Sequence, residues 1–249
     1  QRGALLARGA AELGGRDVVL SGLEGCRVLL LGVVGALRCQ DLRGCEVVVA
    51  AVASSALLHG CRGCVVTLAA KQLRLHDSED VLLHLRTLSR PALERSRRIS
   101  VAPFDLACPG LEAHLAEASL GGGPGDAWAE VQDFDWHRRQ ASPHWRVVPP
   151  ELRRARTELP PDAGAEARPS GPAEAAVPDL SALERCRAWW AEAADDKQDA
   201  ARSAEEREPS AKLGDGLGTE PSGAEPAEGT SSLPSRTCGV ESLGSDDEF

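Results

Sequence analysis

One short segment returns three times at a fixed interval, and no other feature constrains the fold as tightly. Leu23-Glu24-Gly25-Cys26-Arg27-Val28 recurs 19 residues later as Leu42-Arg43-Gly44-Cys45-Glu46-Val47, and after 19 more as Cys61-Arg62-Gly63-Cys64-Val65-Val66. Within each copy the apolar residues alternate: Cys26, Val28 and Leu30; Cys45, Val47 and Val49; Cys64, Val66 and Leu68. A period of two is the period of a strand with these residues on one face. Short strands returning at this interval predict an all-β fold, a parallel β-solenoid in which each repeat of about 19 residues forms one rung. Rungs stack about 4.8 Å apart, so equivalent Cys, Val and Leu side chains should form an internal ladder. The glycines suit tight corners, where φ is often positive. The handedness of parallel crossovers predicts a right-handed coil.

Charge divides the chain. Residues 1–150 hold 17 Lys/Arg and 16 Asp/Glu, whereas residues 151–249 hold 11 and 22. No broad basic surface is available to neutralise a phosphate backbone, which excludes a nucleic-acid binder of that kind. The longest apolar stretch, Val28 to Leu37, is about half of what a bilayer crossing requires, so no membrane span is predicted. The chain opens on Gln1 and is read as a fragment, with residues 1–15 an N-terminal remnant or linker and 16–152 the solenoid. Beyond Pro150 the sequence is rich in Ala, Glu, Pro, Ser and Gly and cannot bury enough apolar area to offset chain entropy. Residues 153–249 are therefore predicted to be a disordered acidic tail, with one short helix at 180–193. There Ser181-Ala182-Leu183-Glu184 reads as a capping box, and Leu183, Cys186, Trp189 and Trp190 as an apolar stripe.

Eight cysteines invite a disulfide framework, and Cys61-x-x-Cys64 near His59 and His76 invites zinc. The laddered cysteines occupy small apolar positions that a free thiol fills well, and a zinc site needs a second ligand pair at suitable spacing. The expectation is buried reduced thiols, no metal, and a reducing compartment such as the cytosol.

After the third copy the pattern changes to Lys71-Gln72-Leu73-Arg74-Leu75-His76-Asp77. Burying Leu73 and Leu75 turns Gln72, Arg74 and His76 outward together. The plainest reading of such a strand is a solvated face. However, this run is followed in order by Ser89-Arg90-Pro91-Ala92-Leu93-Glu94, Val101-Ala102-Pro103-Phe104, Val131-Gln132-Asp133-Phe134-Asp135-Trp136 and Ser142-Pro143-His144-Trp145. Together these motifs resemble the tubulin-binding cofactor C domain family over roughly residues 16–152.

The resemblance implies a right-handed parallel β-helix and GTPase activation. Arg74 occupies the position of the family's arginine finger, which works with cofactors D and E to stimulate GTP hydrolysis by β-tubulin during heterodimer folding. A family member that acts on an ADP-ribosylation-factor-like small GTPase has a partner-facing Glu matching Glu94 and an interface Phe matching Phe134. Lys71 stands where the family has the first Gln of a pair, and Gln72 keeps the second. A lysine can meet a phosphate as a point charge but cannot accept hydrogen bonds as an amide does. The implied protein is an activator acting in trans, without a catalytic site or cofactor of its own, cytoplasmic and cytoskeleton-associated. No Gly-x-Ser-x-Gly, His-Glu-x-x-His or Gly-Lys-Ser/Thr segment suggests other chemistry. The alternative is a non-catalytic binding module, like the β-helical domain of cyclase-associated protein, which engages actin without a finger.

Overall fold

The structure is a computed structural model and describes residues 1–121, 127–159 and 177–192. Its strands are β1 (Leu5–Gly9), β2 (Val18–Ser21), β3 (Arg27–Val34), β4 (Leu37–Gln40), β5 (Glu46–His59), β6 (Arg62–His76), β7 (Glu79–Thr87), β8 (Ala92–Glu94), β9 (Arg97–Pro103), β10 (Leu106–Ala107), β11 (Gln132–Asp133), β12 (Trp145–Val147) and β13 (Thr157–Glu158). Helices α1 (Ala10–Leu13) and α2 (Leu111–Glu117) interrupt them, and a third helix, α3, covers 181–192.

All these pairings are parallel. One sheet runs β1-β3-β5-β6-β7-β9-β12; a second run, β2-β4-β5-β6-β8-β11, shares the long strands β5 and β6. Both strands bend between the two sheets, and the register between them slips at Val49/Val52 and Val52/Ser55. Val28 pairs with Val47 and Val47 with Val66, as the repeat requires. Beyond that point the interval shortens, because Val66 pairs with Leu83 and Leu83 with Val101.

The corners persist where the sequence repeat fades. Each rung turns through two left-handed residues three apart: Gly22 and Gly25, Asp41 and Gly44, Gly60 and Gly63, Asp77 and Asp80, Arg95 and Arg98. Asp tolerates this conformation better than most residues, so the fourth corner keeps the geometry without the glycine signature, and the fifth keeps it with two arginines. The predicted β-solenoid is therefore the fold, and it extends two rungs past its visible repeat.

Its core stacks Cys26, Cys45 and Cys64, then Val28, Val47, Val66, Leu83 and Val101, all buried. The three laddered thiols make the same contact, each donating to the carbonyl two residues earlier, at 3.4, 3.3 and 3.3 Å. All seven described cysteines are free, and burial pushes the Cys61 thiol up to about 11.

The opposite face of the larger sheet is covered as well. On one side α2 places Leu111 and Leu115 against a cluster containing Leu29, Val48, Ala50 and Ala69. On the other, Ala182, Leu183 and Cys186 of α3 pack on Val65, Leu82 and Ala102. The expected tail from 153 onward falls mostly outside the described residues, at 160–176 and 193–249. Within the described part it is folded: β13 pairs with β10, and α3 lies across the rungs. The Ser181 cap also differs from the capping-box expectation. Its amide and hydroxyl both donate to Asp179, at 3.1 and 2.7 Å, and these bonds hold the Asp179 carboxyl below its usual range.

A buried polar network underlies this cover. The Arg154 guanidinium donates to Asp105 at 2.5 Å and to the Thr67 hydroxyl at 2.5 Å. Glu46 lies 2.9 Å from Arg27 and 3.6 Å from Arg154, and accepts the Asp179 amide at 3.0 Å.

Candidate functional site

The second run of strands holds the residues singled out from the sequence. Leu73 and Leu75 are buried in the core while Gln72 and Arg74 are exposed, so the alternation read from the sequence sets the direction of Arg74. Backbone pairing on both sides fixes the strand, with Arg74 between Leu57 of β5 and Ala92 of β8. Among the described residues the Arg74 guanidinium has no hydrogen-bond or ion-pair partner. It lines an open groove of about 530 Å³ together with Gln72, His76, Glu94 and Phe134. Phe134 is 49% exposed.

Lys71 is placed differently. It is half-buried and does not line this groove. Its carbonyl accepts both the amide and the hydroxyl of Ser89, at 3.1 and 3.0 Å, which ties down the loop leading to β8. Glu94 is not free either: Arg95 holds its carboxylate at 2.5 Å, and His76 Nδ1 lies 3.6 Å away. Arg95 also forks onto Asp77 at 2.8 and 3.0 Å, and that pairing keeps the Asp77 carboxyl below the ordinary range. The groove also recruits Ser89, Arg90, Gln132 and Asp135. Only the stacking of β6, β8 and β11 brings these segments together, although Gln132 and Asp135 flank Phe134 in the motif quoted above.

A Ser-His-Asp set lies behind the groove, but its polarity is wrong for hydrolysis. The Ser142 hydroxyl donates to Asp133 at 2.5 Å, and His144 Nδ1 lies 2.8 Å from the same carboxylate oxygen. The hydroxyl meets the carboxylate directly, and the imidazole does not stand between them as it does in a Ser-His-Asp triad. The set works as a lock. With the His144 amide on Ser142 Oγ at 3.0 Å and the Trp136 indole on the Gln140 carbonyl at 2.7 Å, it clamps the loop after β11. The Asp135 carboxylate accepts the Arg95 amide. Phe134 is thereby held between two anchored residues. Among the described residues no cluster suits a metal ion, and no helix is long and apolar enough to cross a membrane.

Comparison with known proteins finds relatives of this chain. The family model "Tubulin binding cofactor C" matches residues 15–134. Tubulin-specific chaperone C of Mus musculus is 38% identical over 149 residues, covering 59% of this chain and 43% of that protein. Tubulin-folding cofactor C of Arabidopsis thaliana is 36% identical over 137 residues, covering 55% and 39%. The chain thus spans less than half the length of these relatives. Among solved structures, Tubulin Binding Cofactor C from Leishmania major aligns with a TM-score of 0.42 at 23% identity, covering 65% of this chain and 93% of that one. The rungs from residue 15 to Phe134, which carry Arg74 and every residue of its groove except Asp135, belong to the tubulin binding cofactor C family.

Proposed function

We propose that this chain acts in tubulin folding as a GTPase activator, supplying Arg74 in trans to β-tubulin together with cofactors D and E. The observation that carries this reading is the unpaired, outward guanidinium on a rung paired along both edges. A loose phosphoryl-transfer transition state spreads negative charge over the γ-phosphoryl oxygens. A guanidinium is always ionised and offers a planar fork of donors to that charge. In this reading Gln72, Glu94 and Phe134 meet the partner around the finger, and Lys71 orders the neighbouring loop through its carbonyl. An ADP-ribosylation-factor-like GTPase is the second candidate substrate for the same surface, and a cytoplasmic site of action follows from either partner. The chain itself binds no cofactor and catalyses nothing alone.

The test is single-turnover GTP hydrolysis by tubulin with cofactors D and E, with this chain added. Trans-acting fingers contribute about 10³–10⁵ in rate, or roughly 4–7 kcal/mol. Arg74→Ala should remove most of the stimulation while leaving the unfolding midpoint in place, because the lost side chain is exposed. Arg74→Lys should also fail, since an ammonium cannot reproduce the fork. Full stimulation by Arg74→Ala, on tubulin and on the small GTPase alike, would replace this reading with that of a binding module.

A further inference from the structure

Arg74 belongs to a column of outward side chains that the rungs hold in register. Val19 of β2 pairs with Arg38 of β4, Arg38 with Leu57, Leu57 with Arg74, Arg74 with Ala92 and Ala92 with Gln132. Arg38 therefore points from the same face as Arg74, two rungs away, or about 9.6 Å at strand spacing. It is exposed, and among the described residues it has neither a hydrogen-bond nor an ion-pair partner. Its strand is hydrogen-bonded on both edges, by β2 and β5, so its backbone is as fixed as that of the finger.

The surroundings favour contact with a partner over plain solvation. Val19, beside Arg38 in the column, is 64% exposed, and half-buried Leu57 lies between the two arginines. The carboxylates near this face are already engaged. Asp17 accepts the Ala36 amide at 2.8 Å, Glu94 is held by Arg95, and Glu130 by Arg90. What remains unpaired on the column is positive charge, with apolar area around it. The complement is an acidic protein surface with an apolar strip.

We infer that the partner-facing surface extends from the Arg74 groove down to β2, and that Arg38 is a docking residue pairing with a carboxylate of the same GTPase that Arg74 serves. This rests on the proposed function for the identity of the partner. Arg74 acts at the reacting phosphate, whereas Arg38 acts on affinity alone. A charge at the edge of an interface chiefly steers association and sets its salt dependence.

The experiment titrates the full chain into tubulin with cofactors D and E. It reads the half-saturating concentration and the plateau rate of GTP hydrolysis, with direct binding measured in parallel. Arg38→Glu should raise the half-saturating concentration about tenfold while the plateau holds, and the difference should shrink as salt is raised. Arg74→Ala should do the reverse, lowering the plateau and sparing affinity. Arg38→Gln, which changes the charge least disruptively, should shift half-saturation in the same direction by a smaller factor. Unfolding midpoints confirm that each variant is folded. An unchanged half-saturating concentration for folded Arg38→Glu, or a fall in its plateau alone, overturns the inference. A plateau unaffected by Arg74→Ala would remove the finger and leave the Arg38 result standing as a binding surface. Absence of any binding by the wild-type chain overturns both.

Discussion

His84 shows how much a single buried side chain can cost this fold as conditions change. It is 2% exposed, on the β7 face that looks toward the cover. Asp105 Oδ2 lies 3.2 Å from its ring and would favour the imidazolium, but Arg154 already claims that carboxylate. Burial, aided by Arg154, pushes the imidazole down to about 4. In the unfolded chain it titrates near 6.5. As pH falls below 6.5 the unfolded chain takes up a proton that the folded one refuses. Stability is therefore lost between 6.5 and about 4, by about 3 kcal/mol in all, with no further loss from this group below that. Urea midpoints at several pH values should show a steep decline for the wild type and a shallower one for His84→Gln. The sequence presents His84 as one polar residue in an apolar run, and nothing local shows that an arginine 70 residues onward will close over it. Arg74 is the opposite case. Its direction follows from Leu73 and Leu75 beside it, so it was legible from the strand alone.

At the scale of elements, α3 is the part whose placement the sequence conceals. Its stripe of Leu183, Cys186, Trp189 and Trp190 is a local pattern, but the surface it meets is dispersed over β6, β7 and β9. From Ser181 to Trp190 the helix rises about 13–14 Å, close to the three strand spacings, about 14 Å, that separate Glu46 from Ser100. Asp179 therefore reaches Glu46 at one end, and the Trp190 indole donates to Ser100 at 3.0 Å at the other. Arg146 sits 4.2 Å over the Trp190 ring, and Arg187 bridges to Asp80 at 2.6 Å. One signal for this docking was present. The runs Cys64–Ala70 and Val81–Leu85 are nearly continuous in apolar residues, which marks strands covered on both faces, whereas a bare solenoid wall should alternate. Leu183→Ala should lower stability by about 2–5 kcal/mol, read as a lower urea midpoint. An unchanged midpoint would mean that α3 contributes nothing to the folded state.

Across the whole molecule, Glu46 joins parts of the chain that lie far apart in sequence. Its carboxylate meets Arg27 from β3, Arg154 from beyond β12 and the Asp179 amide ahead of α3, and it is buried. Removing one member of a buried charged set leaves the others uncompensated, typically at about 3–5 kcal/mol. Glu46→Ala should therefore destabilise the protein by that order, and hydrogen exchange should find amides of 181–192 less protected, since their tie to the rungs goes with it. A loss of stability without loss of that protection would place the role of Glu46 in the β-sheet alone. Glu46 also marks the boundary between the two kinds of information. Period-two alternation, the nineteen-residue interval and the corner glycines are short-range properties, each set by neighbours within one rung. By themselves they determined that this chain coils into parallel rungs, and which way Arg74 points. The groove around Arg74, the clamp on Phe134, the alignment of Arg38 with the finger and the seat of α3 were decided only by the tertiary structure. Each joins residues from different rungs or from beyond them, and their register depends on bulges, shortened intervals and buried charge pairs that exist only once the rungs are stacked.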